Sequence, residues 1–179
     1  MTGGASAPRD TSSGIPDRRG EIDPLRDTST GPASGVGSGS TVALLTRAQL
    51  GRHEGFDRLV FEFRGDLPGH RVEYTSPPVR EDGSGRRLRV AGKALVQVRM
   101  EPASAYDLEA GVPTFRPGRL DGARAGTSVV LEVVKSGDFE SILTWVVGLR
   151  KRVDFHVGTL GEPARVIIDF QRSPRWATL

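Results

Sequence analysis

The sequence predicts an all-β fold, a two-sheet antiparallel β-sandwich preceded by a disordered arm. Short stretches that alternate apolar and polar residues recur along the chain, with turn residues between them, and helical periodicity is almost absent. Gly, Ser, Thr and Pro make up more than half of the first 40 residues. Such a segment cannot bury enough apolar surface to offset its ordering entropy. A closed barrel requires the same alternation and is the alternative to the sandwich.

The chain is predicted to contain one domain. A polar arm covers residues 1–40, the folded part covers residues 41–172, and a short tail covers residues 173–179. The folded part has the length of a single domain, so we expect one hydrophobic core.

The first part of the domain, residues 41–53, has an irregular apolar pattern. Its apolar side chains are Val42, Leu44, Leu45, Ala48 and Leu50. This spacing fits neither the period of a strand nor that of a helix well. We expect a first strand here, with a helical turn as the alternative.

Alternation of apolar and polar residues places the other strands. Leu59, Phe61 and Phe63 fall on one face of a strand, and Val60 and Glu62 fall on the other. The predicted strands cover residues 58–64, 70–75, 90–100, 127–135, 141–149, 153–160 and 164–171. We place turns at residues 66–69, 136–138 and 161–163, where Gly, Pro, Asp and Ser concentrate.

Residues 103–120 are predicted to be a long connection. They hold two prolines and two glycines and keep no sustained period. Connections of this length are often functional or mobile. One helical turn is expected near residues 104–109.

Two packed sheets would bury the inward side chains of these strands. The expected core contains Phe61, Phe63, Val96, Val98, Leu131, Trp145, Val166 and Ile168. Trp145 lies in a run that is apolar on both faces, which is typical of a fully covered strand. The alternative for Trp145 is an exposed ring that stacks on a sugar.

The composition favours a binding protein over an enzyme. The sequence has no Cys, which excludes disulfides, thiolate catalysis, Cys-based zinc sites and iron–sulfur clusters. Its three His residues form no His-Glu-x-x-His motif, and no Gly-x-Ser-x-Gly motif occurs. We therefore predict no catalytic residue, no metal site and no cofactor.

Charge and hydropathy limit the partners. The net charge is +3, and basic residues are interspersed with acidic ones except in one short cluster, Arg86, Arg87 and Arg89. This distribution does not favour nucleic-acid binding. No apolar run reaches the roughly 18–20 residues of a membrane span, and Met1 is not followed by the basic and apolar segments of an export signal.

Two stretches far apart in the chain share a pattern, an alternating apolar run that follows an Arg. They are residues 55–63, which contain Arg58, and residues 155–170, which contain Arg165. Together with residues 69–74 and 137–145, they resemble the AMIN-like domain family, in particular the AMIN-like domains of actinobacterial lipoproteins. The stretch from residue 77 to residue 126 is longer than the central part of the basic AMIN pattern.

The resemblance implies a β-sandwich that acts outside the cytoplasm, secreted or lipid-anchored, and binds without catalysis. Peptidoglycan or an envelope protein is the expected partner. Arg58 and Arg165 match motif positions and would hydrogen-bond carboxylates of stem peptides. Tyr74 and Asp169 complete the candidate ligand-binding set.

Other interpretations of these residues and of the domain remain open. Arg58 and Arg165 would instead pair with carboxylates such as Glu62 and Asp169 on neighbouring strands. The domain as a whole would alternatively bind a secreted protein by adding a strand at a sheet edge, or hold a small ligand in a barrel.

Overall fold

The computed structural model describes residues 29–172; residues 1–28 and 173–179 lie outside the described range. The described part contains fifteen strands and one short helix. In chain order they are β1 (Ala33–Gly35), β2 (Ala43–Arg52), β3 (Phe56–Arg64), β4 (Gly69–Thr75), β5 (Val79–Arg80), β6 (Arg87–Leu88), β7 (Ala94–Glu101), β8 (Ala103–Ser104), β9 (Tyr106–Asp107), β10 (Val112–Pro113), β11 (Arg119–Asp121), α1 (Gly122–Ala125), β12 (Val130–Phe139), β13 (Ile142–Leu149), β14 (Phe155–Gly161) and β15 (Ala164–Gln171).

Two larger sheets form the sandwich. The six-stranded sheet has the order β1-β4-β7-β13-β12-β11, and the five-stranded sheet has the order β14-β15-β3-β2-β8. Neighbouring strands are antiparallel except for β2 and β8, which are parallel. The predicted all-β, two-sheet architecture is therefore confirmed.

The core lies between the two sheets and draws its side chains from both. Trp145 of β13 is fully buried, and its ring centroid lies 5.5 Å from that of Phe61 on β3. The core-packing interpretation of Trp145 is therefore confirmed. Leu131 was wrongly placed in the core: it is only partly buried, because a register shift between Val130 and Glu132 changes the side chains that face inward.

Within residues 41–53, Ala43–Arg52 form the strand β2, and the segment has no helical turn. The register of β2 against β3 shifts between Leu45 and Arg47, so that Thr46 has no partner across the ladder. Ala43 and Leu45 face the core before this bulge, and Ala48 packs against the core after it. A bulge inserts one residue into the pattern, and this explains the broken alternation in the sequence.

Two further local predictions were wrong. Residues 136–138 are not a turn, because β12 continues to Phe139 with a register shift between Lys135 and Gly137. The turn lies at Glu140 and Ser141, with φ of 50° and 61°. The helical turn expected near residues 104–109 is not found there, where the structure has the short strands β8 and β9. The helix in residues 29–172 is α1, Gly122–Ala125, where the side chain of the N-cap Asp121 accepts a hydrogen bond from the Arg124 backbone N–H.

Part of the predicted arm is ordered. Residues 33–35 form β1 and pair with Val72, Arg71 and His70 of β4. The expectation of disorder was wrong for this segment, because the short strand covers an edge of the six-stranded sheet. The rest of the predicted arm up to residue 28 lies outside the described residues.

A segment that we call the flap, residues 76–93, lies across the outer face of the six-stranded sheet. Its backbone N–H groups at Asp82 and Lys93 donate to the carbonyl oxygens of Ser136 and Leu149, at 2.7 Å and 2.8 Å. Val146 is directed outward from this sheet, yet it is fully buried. The flap therefore gives β12 and β13 a second buried face, whereas Arg71 of β4 and Arg99 of β7 stay exposed on the same side of the sheet.

A buried carboxylate joins the two sheets. Asp57 of β3 is fully buried, and its Oδ2 accepts backbone hydrogen bonds from Ser128, Val129 and Val130 at 2.9, 2.6 and 3.1 Å. Hydrogen bonds to a charged acceptor are stronger than neutral ones. This contact holds β3 against the start of β12 and places the neighbouring Arg58 on the opposite face.

Candidate functional site

The outer face of the five-stranded sheet contains a depression of about 300 Å³, which we call the groove. Its lining comes from four adjacent strands, β2, β3, β15 and β14. The lining residues are Arg47, Gln49, Arg58, Val60, Glu62, Leu160, Arg165 and Ile167.

The strand register explains why these residues meet. The strands β3 and β15 carry the two similar stretches of the sequence and pair side by side in the middle of the sheet. Val60 of β3 lies opposite Ile167 of β15, with Gln49 of β2 beyond Val60 and Gly158 of β14 beyond Ile167. This row forms an apolar floor at its centre.

A buried ion pair forms one wall of the groove. Arg58 lies opposite Asp169 on the neighbouring strand and donates from Nε to Oδ1 at 2.7 Å and from Nη2 to Oδ2 at 2.9 Å. The Asp169 side chain is fully buried, and that of Arg58 is 15% exposed. The guanidinium of Arg58 also lies 5.0 Å from the centre of the Phe56 ring. This bidentate arrangement fixes both side chains.

The opposite wall is more exposed. Arg165 donates from Nε to Oε2 of Glu62 at 2.8 Å, and the two side chains are 33% and 23% exposed. Arg47 lies on the other side of Glu62 in the register, is exposed, and forms no ion pair with any residue in the range 29–172. Three guanidinium groups and two carboxylates thus meet on this face, which leaves one positive charge in excess.

Tyr74 belongs to a different region. It lies on β4 of the six-stranded sheet, where its hydroxyl donates to the Val153 carbonyl at 2.6 Å and accepts from the Val153 N–H at 2.9 Å. The Arg152 guanidinium lies 3.9 Å from the centre of its ring. Burial raises the pKa of the Tyr74 hydroxyl. The structure thus brings together Arg58, Arg165 and Asp169 but separates Tyr74 from them.

A family model for the AMIN-like domain matches residues 43–172. The chain belongs to the AMIN-like domain family. AMIN-like domains are generally non-catalytic binding modules, and membership implies an extracytoplasmic location. No curated protein and no solved structure matches the chain. Within residues 29–172, no helix has the length and apolar character needed to cross a membrane.

Sequence reasoning missed part of the groove of this AMIN-like domain. Val60 was assigned to the outward face of its strand but was not identified as a site residue. Ile167 was hidden because the whole run around it is apolar. Arg47 was missed because the bulge in β2 reverses the face on which residues after Leu45 lie. The sequence signal that could have found these residues is the outward alternation of β3 and β15, applied also to the strands that pair with them.

Proposed function

We propose that this AMIN-like domain is an extracytoplasmic binding module, from a secreted or lipid-anchored protein, whose groove binds peptidoglycan. The observation that carries this proposal is the position of the groove. It is formed by the outward side chains of β3 and β15, the strands that carry the family pattern, on the sheet that the flap leaves open.

The chemistry of the groove suits a polymer that presents both apolar and acidic groups. Binding sites typically combine an apolar surface with a few placed polar groups. The floor of Val60 and Ile167 supplies the first, and the arginines at the walls supply the second. Arg58 and Asp169 act mainly as a rigid wall, because each already satisfies the other.

Co-sedimentation with isolated peptidoglycan sacculi tests the proposal. The full chain is expected to pellet with sacculi at low and at moderate salt. Val60→Glu places a charge in the apolar floor and is expected to weaken binding by about tenfold or more. Val112→Glu is the matched control, because Val112 is 49% exposed on β10 and is not a groove residue.

Two results would contradict this function. The first is a chain that stays in the supernatant with sacculi at both salt concentrations. The second is equal loss of pelleting in Val60→Glu and Val112→Glu, which would indicate a general effect of negative charge. Circular dichroism of both variants would verify that each remains folded.

One feature supports the alternative of binding a protein by strand addition. Ser29 and Phe155 exchange two backbone hydrogen bonds, at 3.0 Å and 2.9 Å, on the side of β14 that faces away from β15. By alternation, Val157 and Thr159 direct their backbone groups to the same side, where residues 29–172 provide no strand. An exposed edge of this kind can accept an extended peptide.

Thr159→Pro distinguishes the two functions. Proline removes the N–H that points away from β15 and leaves the hydrogen bonds between β14 and β15 in place. If the protein binds a partner by strand addition, this variant loses the partner while Val60→Glu keeps it. If the groove is the site, Thr159→Pro pellets with sacculi as the unchanged chain does.

A further inference from the structure

We infer that the groove recognises a short peptide with aliphatic side chains and a free carboxylate, and that Arg47 holds the carboxylate. The inference rests on the proposed function and specifies which part of the wall polymer is bound. It assigns recognition to the peptide and not to the glycan strand.

The floor of the groove favours a peptide. None of the eight lining residues is aromatic, whereas a sugar ring is best held by the flat face of an aromatic side chain. The apolar lining instead consists of Val60, Leu160 and Ile167, whose branched side chains fit methyl and methylene groups. Ile167 is only 4% exposed, whereas Val60 and Leu160 are half-buried and supply most of the accessible apolar surface.

Within residues 29–172, the aromatic side chains lie outside the groove. Phe61 and Trp145 pack against each other in the core, and Tyr74 is fixed by Val153. Tyr106 and Phe139 are 41% and 58% exposed, but they lie on β9 and β12 and do not line the groove. The groove therefore offers an aliphatic floor and no flat aromatic platform.

The charges select a carboxylate and its position. Arg58 and Arg165 are paired with Asp169 and Glu62, so among the three groove arginines Arg47 is the one that forms no ion pair within residues 29–172. A guanidinium binds a carboxylate through two parallel hydrogen bonds. Glu62 of β3 repels a second carboxylate. The bound carboxylate therefore lies on the side of Arg47 that faces away from Glu62.

Calorimetric titration of the full chain with wall peptides tests this inference. The probe is the peptide fraction released from sacculi by an amidase, used as it is and after its carboxylates have been converted to amides. The unmodified peptides are expected to bind saturably, and the amidated peptides at least about tenfold more weakly.

Variants of Arg47 assign the contact. Arg47→Glu is expected to weaken peptide binding about tenfold or more, while Arg47→Lys retains part of it because the charge remains without the fork. Arg52→Glu is the matched control: Arg52 ends the same strand, is exposed and does not line the groove. It should bind peptides as the unchanged chain does.

The outcomes separate this inference from the proposed function. A chain that pellets with sacculi but does not bind the released peptides, or binds amidated peptides equally well, overturns the inference and leaves wall binding intact. Saturable binding of glycan strands freed of their peptides, as tight as the binding of the peptides, also overturns it and assigns recognition to the glycan. Failure to pellet with any sacculi overturns the proposed function and, with it, this inference.

Discussion

The flap covers the outer face of β12 and β13 in the six-stranded sheet, whereas no segment of residues 29–172 covers the centre of the outer face of the five-stranded sheet. Both sheets bury their inner faces against each other, and the flap adds a second buried face to only one of them. The flap, which is inserted between β4 and β7, therefore leaves the outer face of the five-stranded sheet available for a ligand. That face is the one formed by β3 and β15.

The two faces are also held by different contacts. On the covered face the flap backbone packs directly on the sheet: a Cβ added at Gly148 would overlap the carbonyl oxygen of Ala91. On the open face a Cβ added at Gly51 would meet nothing within 4 Å. Order on the open face comes from charged side chains, chiefly Arg58 and Asp169.

The largest expected effect concerns this ion pair. Arg58→Ala removes the cation from a fully buried carboxylate, Asp169, and is expected to lower the free energy of unfolding by about 3–5 kcal/mol. Urea denaturation measures the loss. The substitution leaves the buried Asp169 carboxylate without this ion pair.

The exposed part of the six-stranded sheet supplies the control for that experiment. Arg71 and Glu73 form an ion pair at 2.8 Å on the six-stranded sheet, but their side chains are 55% and 32% exposed. Arg71→Ala is therefore expected to leave the urea midpoint nearly unchanged. Equal destabilisation by the two substitutions would show that the buried ion pair of Arg58 and Asp169 does not stabilise the fold more than an exposed ion pair does.

A smaller effect is expected from the packing of the flap. Gly148→Val forces the Ala91 backbone away from β13 and should destabilise the fold by about 1–3 kcal/mol. Gly51→Val, the same change on the open sheet, has room for its side chain and should cost far less. Urea denaturation of both variants measures the difference, and similar costs would contradict a flap that packs closely on the sheet.

The sequence predicted the parts of the fold that follow regular alternation. The strands β3, β4, β7, β14 and β15 were all expected near their observed bounds. Alternation has a period of two, so a single inserted residue reverses every later side chain. The bulge at Thr46 therefore hid the face on which Arg47 lies, and the bulge at Ser136 displaced a predicted turn.

The candidate site was predicted in part for the same reason. Arg58, Arg165 and Asp169 lie on unbulged strands in the family pattern, and they do meet on one face. Tyr74 follows the same alternation, but no local pattern tells which sheet a strand joins. The glycine-free turn at Glu140 and Ser141 was missed because glycine is the usual signal for positive φ.

The smallest expected effect concerns pH and the edge of the covered sheet. His70 of β4 lies opposite Gly35 of β1, and burial lowers the pKa of its imidazole below the ordinary 6.5. The folded state therefore takes up this proton at a lower pH than the unfolded state does. As the pH falls below about 6.5, the unfolded state binds more protons and stability decreases; above that pH His70 is neutral in both states.

Replacing His70 isolates this contribution. Urea denaturation of the unchanged chain and of His70→Gln between pH 7.5 and pH 5 should give a steeper loss of stability for the unchanged chain. Hydrogen exchange should place the loss at the pairing of β1 with β4, because the His70 ring packs against Gly35. Parallel pH profiles would contradict a buried neutral imidazole. Loss of protection in β3 and β15 alone would show that acid destabilises the five-stranded sheet and not the edge of the six-stranded sheet where β1 pairs with β4.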